Sequence, residues 1–214
     1  MLTSTTSIVV PSRIYACTFN PGGWAAKDWL QVRSPRWNHA GGWIQRGDHI
    51  SNCVPAGATA EEMLGPRAGE TYSSMVFAHS LSSQVRVRTT ASFDFRMAPS
   101  IVLAGPLGAN EDGHPEYREH VEIVLFDEGV NIWHHTWADG VPVWGKAAWW
   151  RFDLVAGETQ LLEVVRCGPG LQLDVAGQSF GCRIEGLPAE MRFGITGCEG
   201  INRFYDFEVY SLVE

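Results

Sequence analysis

The residues 120–137, HVEIVLFDEGVNIWHHTW, hold three histidines, a carboxylate at Glu122 and two tryptophans among alternating Val and Ile. Imidazole and carboxylate are the side chains that most often move protons near neutral pH, and a carboxylate beside a histidine favours the charged imidazole. Indole rings offer flat apolar platforms on which a sugar ring or another planar ligand can stack. The segment therefore carries acid/base groups and a binding surface together.

Alternation of this kind predicts two strands joined by a turn. A turn with Glu128-Gly129 at its tip pairs 127 with 130, and thus Glu122 with His135 and His120 with Trp137. A three-residue loop instead sets Glu122 opposite His134. The first register is the expected one, because it separates apolar from polar residues cleanly. One face then carries Val121, Ile123, Leu125 and Ile132, with His134 and Thr136 towards the end. The other carries His120, Glu122, Val124, Asn131, Trp133, His135 and Trp137. Directly paired residues have Cβ atoms about 4.5–5.5 Å apart, so Glu122 and His135 are expected to touch. The second face is too polar for core and too aromatic for an ordinary solvated surface.

The preceding loop, NEDGHPEYREH, is dense in functional groups and is expected to rim the site. Tyr117 and His120 form a candidate proton-transfer pair there, with Arg118 beside them. Nine tryptophans fall into an early group (Trp24, Trp29, Trp37, Trp43) and a late one (Trp133, Trp137, Trp144, Trp149, Trp150). Several must be core. The two groups are expected to meet across a cleft, with Trp43 as the early contributor to ligand binding.

The candidate catalytic set is thus Glu122, His135, His120 and Tyr117, and the candidate binding set Trp133, Trp137, Asn131, Arg118 and Trp43. His39, His49 and His79 are scattered. Adjacent His134 and His135 point to opposite faces of a strand and do not readily share an ion, so no metal is expected. Oxygen-rich stretches at Asp48 with Asn52 and at 110–112 lack a calcium-loop pattern. No dinucleotide, P-loop or nucleophile-elbow motif appears in a suitable context, and no cofactor is expected.

The 214 residues balance 16 basic against 24 acidic side chains, a net charge of −8. With no basic cluster, neither nucleic acid nor an anionic membrane is an expected partner. No apolar run approaches the ~20 residues needed to span a bilayer. The N-terminus lacks the basic and apolar regions of a signal peptide. Five cysteines with no C-x-x-C suit free thiols in a reducing cytoplasm, although a Cys182–Cys198 bridge stays open.

Residues 1–70 read as irregular Trp/Gly-rich loops and short strands, with a helical turn within 55–70 bounded by Pro and Gly. Beyond them, strands recur every 8–12 residues or so, among them YSSMVFAHSL, SQVRVRTTASFDFRM, SIVLAG, RFDLV, TQLLEVVRC and LQLDVAGQSFGCRIE. The segment ADGVPVWGKAAWW is expected as a Trp-rich loop, and EMRFGITGCEGINRFYDFEVYSL as the last two strands. With no repeat and no linker, the expected architecture is a single all-β domain, a sandwich of two antiparallel sheets.

Three segments together resemble a known superfamily. YREHVEIVLFDEGVNIWHH is similar to the central hairpin of concanavalin A-like lectin/glucanase jelly rolls. TQLLEVVRCGPGLQLDVAGQSF resembles their paired strands, and MRFGITGCEGINRFYDFEVYSL their closing strands. The resemblance, to a small galectin-like or laminin-G-like member of carbohydrate-active type, implies a jelly roll whose concave sheet or rim binds ligand. The E-x-D-x-x-E strand of its glucanase branch is absent, which disfavours that glycosidase chemistry. Polysaccharide lyases with this fold use His and Tyr with a polar neutraliser, roles that His120, His135, Tyr117 and Arg118 would fill.

The resulting expectation is a carbohydrate-binding or carbohydrate-processing protein. The alternative is a cyclase, isomerase or dehydratase acting on a hydrophobic metabolite in a Trp-lined cavity. A homodimer that covers the hairpin face is the third.

Overall fold

The computed structural model describes residues 11–38 and 41–212, so His39 and the N-terminal ten residues lie outside it. β1 (Ser12–Thr18), β2 (Trp29–Gln31), β3 (Trp43–Gln45) and β4 (Ile50–Asn52) lead to two short helices, α1 (Ala60–Leu64) and α2 (Ala68–Thr71). β5 (Ser73–Phe77), β6 (Gln84–Phe93) and β7 (Met97–Ala104) follow, then a small hairpin of β8 (Gly108–Ala109) and β9 (Pro115–Glu116). The central strands are β10 (His120–Phe126), β11 (Gly129–Ala138), β12 (Val141–Arg151) and β13 (Gln160–Cys167). β14 (Gly170–Val175), β15 (Gln178–Arg183), β16 (Arg192–Gly197), β17 (Asn202–Phe204) and β18 (Asp206–Ser211) close the chain.

These strands form two antiparallel sheets packed face to face, the expected all-β jelly-roll sandwich. One sheet runs β12-β11-β10-β7-β16-β5-β2. The other runs β15-β14-β13-β6-β17-β4-β3, with β18 also on β6 and β1 on β18. Alternate residues of facing strands meet between the sheets. Val121, Ile123, Ile101, Leu103, Phe193 and Ile195 come from the first; Val87, Phe93, Val164, Leu173, Phe204 and Phe207 come from the second. A fully buried side chain of this size contributes about 1.5–3 kcal/mol, so this layer is the main source of stability.

The outer faces of the two sheets differ. On the nine-stranded sheet, Arg86 and Arg88 reach Glu163 at 3.8 and 3.3 Å, and Arg88 and Arg13 reach Glu208 at 3.6 and 3.5 Å. That is a ladder of half-buried ion pairs. The outer face of the seven-stranded sheet instead buries Val32, Val76, Val102, Ala104 and Tyr117 in a second apolar cluster. The loop between β7 and β10 folds over it, and Arg33 bridges to Glu116.

Four sequence expectations change. ADGVPVWGKAAWW is no loop: it is most of β12, paired with β11 from Ala138↔Val141 to Gly129↔Arg151. Its pattern misleads because most of this edge strand is solvent-exposed, so alternation is not imposed on it. RFDLV is not a strand beyond Arg151. In the N-terminal segment, expected to be irregular, β1 pairs with β18. The closing segment also makes three strands rather than two.

The hairpin turns at Asp127-Glu128, one residue earlier than expected. It pairs Phe126 with Gly129, Glu122 with Trp133, and His120 with His135. Gly129 fits here because its φ is +132° and an added Cβ would lie 1.9 Å from the Trp150 carbonyl oxygen. The slip relative to the expected register is two residues, which preserves side-chain parity, so the polar and apolar faces stand as predicted.

Candidate functional site

β10 and β11 aim alternate side chains at the outer face of the seven-stranded sheet. Cross-strand pairing puts His120 against His135, and Trp144 of β12 against His135 on its other side. Four rings then stack across the sheet: Tyr117 on His120 at 4.2 Å, His120 on His135 at 4.3 Å, and His135 on Trp144 at 6.4 Å. Glu122 lies beside the two imidazoles. Its carboxylate oxygens are 3.6 Å from His120 Nε2 and 3.3 Å from His135 Nε2.

His120 is 1% exposed, and neither of its ring nitrogens has a hydrogen-bond partner among the described residues. Burial lowers its pKa, with Glu122 opposing. Burial pushes the Glu122 carboxyl up, but the imidazoles of His120 and His135 outweigh it and hold the group well below the usual carboxylate range.

A cavity of about 180 Å³ opens above this group. Its floor is Glu122, Val124, Asn131 and His135; Trp133, Trp144, Trp37 and Arg36 wall it; Tyr72, Thr196, Cys198 and Glu199 close the far side. The Arg36 guanidinium lies 4.4 Å from the Trp37 ring and 5.0 Å from the Trp144 ring, and Lys146 lies 5.2 Å from Trp133. Such cation–π contacts contribute about 0.5–1 kcal/mol at exposed positions. A bulge at Ile132/Trp133 lets β12 present Trp144, Lys146 and Trp149 towards this same face.

Two devices hold the far wall. Gly69 leaves room for the Trp37 ring, which a Cβ there would meet at 2.7 Å. The turn after β16 is pinned by buried polar groups. Asn52 Nδ2 donates to the carbonyls of Thr71 and Gly200 at 2.7 and 2.9 Å, and the Glu199 amide donates to Thr71 Oγ1 at 2.7 Å. Glu199 sits there with φ +57°, and burial raises its carboxyl pKa against the attraction of Arg36.

The structure brings Glu122, His135, Asn131 and Trp133 into this cavity and sets His120 directly beside His135 on the next strand. Tyr117 lies deeper, fully buried, with its hydroxyl 2.6 Å from Ser74 Oγ and not on His120. Trp137 and Arg118 line an adjoining groove of about 730 Å³ that shares Trp37 with the cavity. There Arg118 lies 4.5 Å from the Trp137 ring, and Asn110 Oδ1 accepts from the amides of Asp112 and His114, shaping the rim. Trp43 is elsewhere. It sits on β3 of the other sheet, its ring edge-on to Phe204 at 5.6 Å, because its apolar area completes the core there.

His134 faces away from the cavity and meets Glu119 at 2.9 Å. Cys182 packs against the core, Cys198 lines the cavity, and all five cysteines are free thiols. Sequence reasoning missed Arg36, Tyr72, Cys198 and Glu199 as site residues. They reach the cavity from loops and helix ends with no periodicity to mark them. It also missed the pairing of His120 with His135.

This architecture is known from solved structures, although no family model and no curated protein sequence matches the chain. β-Agarase A from Zobellia galactanivorans superposes with a TM-score of 0.65 at 10% identity, covering 94% of this chain and 92% of that one. The VIP36 exoplasmic/lumenal domain, in its Ca²⁺/Man3GlcNAc-bound form, gives 0.61 at 10% identity over 95% and 91%. The carbohydrate-binding module CBM66 from Bacillus subtilis gives 0.55 at 9% identity over 83% and 92%. The chain has the concanavalin A-like jelly-roll fold.

Proposed function

We propose that this protein binds carbohydrate on the outer face of its seven-stranded sheet, with one sugar ring in the cavity and further units along the Trp37–Trp137 groove. The observation that carries this reading is the wall of Trp37, Trp133 and Trp144 around a polar floor of Glu122, Asn131 and His135. Indole faces take the apolar face of a sugar, and carboxylate, amide and imidazole take its hydroxyls. The cavity is smaller than the ~300–1,000 Å³ typical of drug-sized ligands, which suits a single ring more than an enclosed chain. Neighbours of the same fold include proteins whose names and bound ligands are carbohydrate-related, which supports the ligand class without naming the sugar.

The buried group of Glu122 between two imidazoles favours a second reading, turnover of the bound ligand by general acid/base catalysis. Five free thiols support a reducing, cytoplasmic setting.

Tryptophan fluorescence titrated with neutral oligosaccharides, uronic-acid polymers and apolar metabolites tests the reading. Saturable quenching by a glycan supports it. Quenching only by apolar compounds overturns it and favours the metabolite enzyme.

A further inference from the structure

We propose that His120, Glu122 and His135 form a binding site for one divalent first-row transition ion, of which zinc is the best fit. The inference stands whether or not the ligand in the cavity is a carbohydrate.

Three observations carry it. The donor atoms of the three side chains all lie within 4.8 Å of one another. The two imidazole–carboxylate separations, 3.6 and 3.3 Å, are longer than the ~2.7–3.2 Å of a good N–H···O hydrogen bond. They run to different oxygens, Oε1 facing His120 and Oε2 facing His135, so the carboxylate opens towards both imidazoles. Both nitrogens of the buried His120, and Nε2 of His135, also lack hydrogen-bond partners among the described residues. A cation against the carboxylate would satisfy His120 Nε2 and His135 Nε2 together once the two stacked rings turn their edges to it.

Donor chemistry selects the ion. Two neutral imidazoles and one carboxylate are the ligands of hydrolytic zinc sites, whereas Ca²⁺ and Mg²⁺ take oxygen. Three protein ligands leave positions to be filled from the cavity by water or a ligand oxygen. His120 Nδ1 has no anchoring partner, and such partners are worth about 10–100-fold in metal affinity. Binding should therefore be weaker by that factor than at a fully braced site.

The test is calorimetric titration of metal-free, full-length protein with Zn²⁺, and spectroscopic titration with Co²⁺. One equivalent should bind, with no comparable signal from Mg²⁺ or Ca²⁺. Affinity should fall at least ~10-fold in His135→Ala and in the isosteric Glu122→Gln, and be unchanged in His134→Ala, whose side chain faces Glu119. Circular dichroism establishes that each variant folds, and Glu122→Gln serves where His135→Ala does not. Wild-type protein that takes up no stoichiometric Zn²⁺ overturns the proposal. So does equal binding by Glu122→Gln, or a Co–thiolate absorption band that places the ion on a cysteine. None of these readouts involves a glycan, so failure here leaves the ligand reading to its own titration.

Discussion

His120 and His135 face each other across neighbouring strands with their imidazoles stacked 4.3 Å apart and 14° from parallel, both Nε2 atoms turned towards Glu122. A sheet face built only for stability would not contain this. Each buried polar group left without a partner costs about 1–3 kcal/mol, and a Leu or Phe would fill the same space without that penalty. The opposite face of the sandwich pairs its charges instead, in a ladder of half-buried Arg–Glu contacts.

Trp133 is the aromatic wall nearest Glu122 in the register, since the two residues are directly paired. Trp133→Ala should lower glycan affinity about 10-fold or more, in line with the ~0.5–1.5 kcal/mol of aromatic contact plus the lost area. Fluorescence titration through the remaining tryptophans reads the affinity, and far-UV circular dichroism should be unchanged. Equal affinity would remove the sugar from this cavity.

Arg36 spans Trp37 and Trp144 and closes the cavity from above. Arg36→Ala should weaken binding by severalfold while shifting the melting temperature by less than ~2 °C, since two exposed cation–π contacts are worth little to the fold. A large fall in stability with intact binding would make Arg36 a structural strut instead.

The polar and apolar faces of the central hairpin were legible in the sequence, because side-chain direction follows parity and parity survives a two-residue slip. The turn position was not. Glu128-Gly129 looked like the tip, yet Gly129 is needed one step later, where β12 crosses within 1.9 Å of its absent Cβ. That requirement comes from a strand twenty residues on, and β12 itself was masked by its exposure. Of the loop residues of the cavity, Arg36 is set by a local bond from its amide to Ser34 Oγ, and Glu199 by a turn held through Thr71 and Asn52, long-range contacts that no local pattern encodes.

Gly129→Ala follows from the same geometry. The positive φ alone costs about 1–3 kcal/mol for a residue with a Cβ, and the contact with the Trp150 carbonyl adds to it. A fall in melting temperature of at least ~4 °C is expected. Gly177→Ala, at a turn with open space around it, should cost less. Equal effects would refute the close approach of β12.

Thiol reactivity should sort by burial. Cys167 is exposed and should react first with a disulfide reagent at pH 8. Burial raises the Cys17 thiol to about 11 and pushes Cys198 up as well, so little thiolate forms on either at that pH. Mass spectrometry of partially labelled protein should find Cys17 and Cys198 modified last, with Cys17 gaining reactivity as the pH approaches 11. Early labelling of Cys198 would mean that the cavity opens far more than its walls suggest.

The double variant His120→Phe/Glu122→Leu separates function from stability. It removes a largely covered carboxylate and the buried imidazole beside it and supplies apolar side chains that can pack on Tyr117 and His135. Replacing buried ionic groups by apolar ones of similar volume is often neutral or stabilising by about 1–4 kcal/mol. The variant should therefore melt at the wild-type temperature or above it, yet lose ligand affinity and Zn²⁺ uptake together. Scanning calorimetry reads the first and titration the second. A melting temperature lowered by more than ~5 °C would show that Glu122 and His120 hold the sheet together, and the site would then have to be sought in the Trp37–Trp137 groove.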